Sequence, residues 1–150
     1  MSDSGNERIF TVIPDKEAVA QVSDFLDGCL EDYAVPMRVG YSLKVVADEI
    51  FSNIVYYSGA KTAQVLFLDD SDRIILIFQD DGRPFNPMET EEPDTAVGVE
   101  ERSIGGLGLF MVRKMAEEVR YEYASDRNQL TVVLSKAVKK KKISLEDFDL

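Results

Sequence analysis

Residues 104–136 read IGGLGLFMVRKMAEEVRYEYASDRNQLTVVLSK, and they decide the architecture. Gly105, Gly106 and Gly108 open the stretch. Leu107, Phe110, Met111 and Met115 then recur at helical spacing, which predicts a helix over 106–118. Two short apolar runs follow, near 119–124 and 129–135, with Ser125-Asp126-Arg127-Asn128 as the turn between them. Glycines at a helix start let anions approach free backbone amides at the positive end of the helix dipole. Gly costs roughly 1 kcal/mol within a helix, so Gly108 calls for a reason, and close approach of a phosphate is one. A glycine-lubricated loop is the other reading. The pattern lacks the Gly-Lys-Ser/Thr of a Walker loop. It follows a loop and not a strand, so it is no dinucleotide fingerprint either.

Upstream, RIFTVI at 8–13 reads as a strand, and Pro14-Asp15 breaks it. Ala18, Val22, Phe25, Leu26 and Cys29 predict a helix over 15–32. Pro36 opens a second helix, 37–57, buried through Leu43, Val46, Ala47, Ile50, Ile54 and Tyr57 and ended by Ser58-Gly59. Residues 62–69 and 73–80 predict a hairpin around Asp70-Ser71-Asp72. Residues 82–104 have little periodicity, three prolines and several acids. So long a stretch inside a compact domain reads as a functional loop or lid, the alternative being a disordered insertion. The order β-α-α-β-β-lid-α-β-β predicts an α+β domain: a two-layer sandwich, one mixed, mostly antiparallel sheet with three helices on one face.

The chain of 150 residues fits one domain, with a core over about 8–135 and a flexible tail over about 137–150. Its net charge of -11 and pI near 4.4 argue against binding nucleic acid through phosphates. There is no histidine, which removes histidine acid–base chemistry, Ser-His-Asp hydrolysis and most transition-metal sites. The single cysteine, Cys29, excludes an internal disulfide. No apolar run approaches a membrane span and no signal peptide is evident, so a cytoplasmic location is expected.

Two further motifs carry chemistry. Glu49 and Asn53 stand four apart on the second helix, at the edge of its buried stripe. There they can face a cleft: a carboxylate to take or orient a hydroxyl proton, an amide oxygen to ligate Mg²⁺. Polar residues flanking an amphipathic stripe are the ordinary alternative. Asp80-Asp81-Gly82 follows the apolar strand Ile74–Phe78. An ionised carboxylate delivered there only accepts hydrogen bonds and suits an amino group. A simple turn would also explain it.

In this order and spacing, DEIFSNIVYYSG (48–59), QDDGRPFNP (79–87) and 104–136 resemble the N, G1 and G2 boxes of the Bergerat ATP-binding fold. The chain looks most like the stand-alone anti-sigma-factor serine/threonine kinases. The resemblance spans about 8–135. It implies ATP and Mg²⁺ as cofactors, with Asn53 as the Mg²⁺ ligand and Glu49 as the catalytic base. It implies that Asp80 takes the adenine amine, preferred over Asp81 because it matches Asp-x-Gly, and that Gly82 lets the base pack on the backbone. Gly105, Gly106, Leu107 and Gly108 would line the phosphates, and Thr131 would support Asp80. A lid over about 84–104 would close on ATP. Arg102, its only basic residue, would reach a γ-phosphate or a partner's phosphoserine, or stand solvated. Arg83-Pro84-Phe85 departs from the second box's usual Gly-x-Gly.

The implied function is phosphorylation of a serine or threonine on an anti-sigma antagonist, with sequestration of a sigma factor by a homodimer. The alternatives are a nucleotide-gated binding module without transfer, the ATPase part of a two-component histidine kinase, and a protein with no nucleotide site.

Overall fold

The computed structural model describes residues 6–89 and 108–137. The lid from 90 to 104 and the tail from 138 to 150 lie outside the described residues, and so do Arg102, Gly105, Gly106 and Leu107.

Strand β1 (Glu7–Val12) leads to α1 (Lys16–Asp32). Asp15 caps that helix, its Oδ1 accepting from the Ala18 amide at 2.9 Å. Helix α2 (Met37–Tyr57) starts directly after Pro36. It stops at Ser58, whose hydroxyl donates to Ile54 O at 2.7 Å, and Gly59 follows in the left-handed region (φ 68°). Strands β2 (Ala63–Asp70) and β3 (Arg73–Asp80) form the expected hairpin. A 3-10 turn, Pro87–Glu89, comes next. Residues 108–115 are helical (α3), and β4 (Glu118–Ala124) and β5 (Arg127–Ser135) complete the sheet.

The strand order is β1-β2-β3-β5-β4, and all four pairings are antiparallel. The sheet is therefore purely antiparallel among the described residues, where a mixed one was expected. The third helix ends earlier than predicted, because Glu117 has left it: its amide donates to Val133 O at 2.7 Å. Pairing with β5 outweighs the helical pattern there.

Alternation fixes the faces. Val65 and Phe67 of β2, Ile74, Leu76 and Phe78 of β3, and Leu130, Val132 and Leu134 of β5 are buried on one face. They form a single core with Val22 and Leu26 of α1, Leu43, Val46, Ile50 and Ile54 of α2, and Leu109 and Val112 of α3. Two polar residues continue the same face at one end of the central strands, Asp80 after Phe78 and Asn128 before Leu130. They are register partners.

Candidate functional site

The apolar face of β3 carries Asp80 into the interior, where it is 1% exposed. Its Oδ1 accepts two hydrogen bonds of 2.9 Å, from the Gly82 amide and from Asn128 Nδ2. Among the described residues its Oδ2 has no partner. Burial pushes the Asp80 carboxyl above its ordinary value, and these two donors pull it back. A buried carboxylate oxygen without a donor is costly, and an exocyclic amine is a ligand group that would satisfy it.

Asp81 does different work. Its Oδ1 accepts from the amides of Lys61 at 2.8 Å and Thr62 at 3.0 Å. These bonds hold its carboxyl below the usual value, at an exposed position. Asp81 fastens the chain between α2 and β2, and Asp80 faces the interior.

Gly82 has no room for a side chain. A Cβ there would clash with the Ser58 carbonyl and stand 3.0 Å from Asp80 Oδ1. Ser58 O in turn accepts from the Arg83 amide at 3.1 Å. The strand exit is thus pressed onto the end of α2.

Helix α2 carries Glu49 and Asn53. Asn53 is buried, and its Nδ2 donates to Pro87 O at 3.1 Å. Its Oδ1 has no partner among the described residues, which leaves a hard neutral oxygen of the kind Mg²⁺ accepts. Glu49 is half-buried. Burial raises its carboxyl above the ordinary value, the neighbouring Asp48 adds to this, and a hydrogen bond with Asn53 opposes it. Gly108 on α3 lies against that carboxylate, so close that a Cβ would overlap it. Among the described residues no three acidic or sulfur groups gather as a metal site.

Thr131 corrects one expectation. It pairs with Ile77 and Arg120, one step out of phase with Asn128 and Leu130, and so faces away from the helices. It cannot support Asp80. Asn128 does so, and the sequence reading had placed that residue in a turn. Asn128 is 2% exposed. Its Nδ2 also donates to Arg83 O at 2.8 Å, and its Oδ1 accepts from the Phe85 amide at 2.8 Å and from the Tyr121 hydroxyl.

The sequence profile of the histidine kinase-like ATPase domain matches residues 12–136. The chain belongs to this family. A comparison with proteins of curated function returned no match. Among solved structures, the crystal structure of the SiaB–SiaC complex from Pseudomonas aeruginosa contains a chain 15% identical to this ATPase domain. It superposes with a TM-score of 0.59 over 85% of this chain and 88% of that one. The histidine kinase AdeS of Acinetobacter baumannii is 16% identical, with a TM-score of 0.48 over 87% of this chain and 70% of that one. The catalytic domain of histidine kinase ThkA is 12% identical, at 0.45 over 86% and 97%. At such identities the likeness is one of fold, and the first of the three carries it. Among its described residues the domain has no helix long and apolar enough to cross a membrane.

Proposed function

We propose that this ATPase domain is an ATP-dependent protein serine/threonine kinase that acts as an anti-sigma regulator. Its acceptor would be a serine or threonine of an anti-sigma antagonist, and it would sequester a sigma factor as a homodimer. The observation that carries the nucleotide part is Asp80, which is buried: one oxygen is held by two donors, and the other has no partner among the described residues. The protein-partner part rests on the resemblance of the three boxes. The SiaB–SiaC neighbour supports it in that it is a complex of two proteins.

Mg-ATP supplies the transferable phosphoryl group and the neutralising cation. Transfer of that group needs positioning more than covalent catalysis. Asp80 accepts the base amine through Oδ2, and the Gly82 amide holds its other oxygen. Asn53 Oδ1 holds the cation. Gly105, Gly106, Leu107 and Gly108 would line the phosphates, and Arg102 would reach a phosphate or stand solvated. Glu49 accepts the proton of the acceptor hydroxyl.

The test is incubation with Mg-ATP and a candidate antagonist, read by intact mass. One added phosphate on serine or threonine, absent with Asn53→Ala, is the expected result. ATP binding without transfer would replace the kinase by a nucleotide-gated binding module. An absence of ATP binding would refute the site.

A further inference from the structure

We infer that Asn128 is a positioning residue that sets the base selectivity and the working pH range of the nucleotide site. The inference rests on the nucleotide site proposed above. It concerns how this chain holds that site and adds no new step to transfer.

Asn128 sits on the first core-facing position of β5, opposite Asp80 on β3. All of its hydrogen-bonding capacity is spent on one task. The Nδ2 group donates to Asp80 Oδ1 at 2.9 Å and to Arg83 O at 2.8 Å. The Oδ1 atom accepts from the Phe85 amide at 2.8 Å and from the Tyr121 hydroxyl. One buried amide thereby ties the acid to the segment 83–85 that leaves the strand. Tyr121, from β4, fixes the amide's orientation, because only its oxygen can accept from that hydroxyl.

Two consequences follow. First, Asp80 cannot rotate freely, since Oδ1 is held by Asn128 and the Gly82 amide, so Oδ2 is the oxygen left for a ligand among the described residues. A purine bearing an amine at that point satisfies it. A purine bearing a carbonyl there sets two acceptors face to face. Second, the Asn128 donor favours the ionised form of Asp80, the form that can only accept. Without it, burial drives the carboxyl toward its protonated form, which blurs the distinction.

The experiment compares wild type with Asn128→Leu, which is close in size and lacks both polar atoms. Calorimetric titration with Mg-ATP and with Mg-GTP, across pH 5 to 8, reads both consequences. ATP affinity is expected to fall by about 10- to 100-fold, as for a lost hydrogen bond to a charged group. The ATP-to-GTP preference should shrink, and the acid midpoint of ATP binding should move upward. If the variant's melting transition shows that it does not fold, Tyr121→Phe takes its place. That change removes one of the two donors to Asn128 Oδ1 and leaves both Asp80 contacts in place, with the same directions expected at smaller size. Unchanged preference and midpoint in the folded variant overturn the assignment. A wild type that binds no ATP refutes the nucleotide site itself, a separate failure.

Discussion

Gly108 and Glu49 meet without space between them. A Cβ at Gly108 would overlap the Glu49 carboxylate, although the residues lie on different helices. The glycine therefore has a packing reason beyond phosphate approach. It lets α3 come down onto the one carboxylate proposed to touch the acceptor hydroxyl. Gly108→Ala should separate stability from activity. Alanine favours helix by up to roughly 1 kcal/mol, and the clashing atoms are the far end of a flexible side chain. The melting temperature should hold or rise slightly. Phosphate transfer to the antagonist should fall by at least about 10-fold, because Glu49 is displaced. Transfer at the wild-type rate would show that the close approach is incidental.

Glu49 should leave its mark on the pH profile. Its folded carboxyl lies above the ordinary value through burial and Asp48. A base works only when ionised, so transfer should rise with pH through a midpoint above that of an ordinary glutamate. Glu49→Gln should slow transfer by about 10²–10⁴-fold and abolish that acid limb, with ATP binding largely kept. A variant that keeps the limb would move the base elsewhere.

Asp80 sets stability against function. Its folded carboxyl is raised, so its favourable contribution is complete below the unfolded value and is lost as pH rises through the folded one. At neutral pH the protein therefore carries a buried charge at a cost. Asp80→Asn removes the charge at constant size and can still offer an oxygen to Asn128 and the Gly82 amide. Denaturant midpoints should favour the variant at pH 7 and converge with wild type below about pH 4. ATP affinity should drop by about 10-fold or more. A variant less stable than wild type at pH 7 would mean that the charged form is better satisfied than its partners suggest.

Most of the framework was legible because strong local signals agreed with tertiary pairing. Helix α2 has the predicted limits since Pro36 and Ser58-Gly59 are unambiguous punctuation. Strand β3 matches too, its alternation running from Ile74 to Asp80. The Asp-x-Gly match prefers Asp80 over Asp81, and the alternation of β3 buries Asp80. The β4–β5 turn was read too long. It spans only Ser125 and Asp126, both at positive φ (55° and 61°). Such a two-residue turn suits the sheet twist but here contains no glycine to announce it. Reading four turn residues hid Asn128, and with it the support for Asp80. Counting back from Leu130 in steps of two would have placed Asn128 on the buried face. Thr131 was assigned by resemblance, and strand parity rules it out. The end of α3 was overextended because Met115 and Ala116 keep helical spacing while Glu117 already pairs with Val133.

Asp81 offers the contrast that separates the two adjacent acids. Its carboxylate accepts from the Lys61 and Thr62 amides and from the Thr62 hydroxyl at 3.2 Å. These donors lower its folded carboxyl, so its stabilising contribution is present above the unfolded value and is lost as pH falls through the folded one. The sign is opposite to that of Asp80, one residue away. Asp81→Ala should lower stability at pH 7 by about 0.5–1.5 kcal/mol, the usual size for hydrogen bonds at an exposed site. The loss should fade in acid, where wild type also lacks the charge. ATP affinity should stay within about 3-fold of wild type, since Asp81 faces the α2–β2 connection and not the cleft. A loss of ATP binding as large as that of Asp80→Asn would reverse the assignment of the two acids.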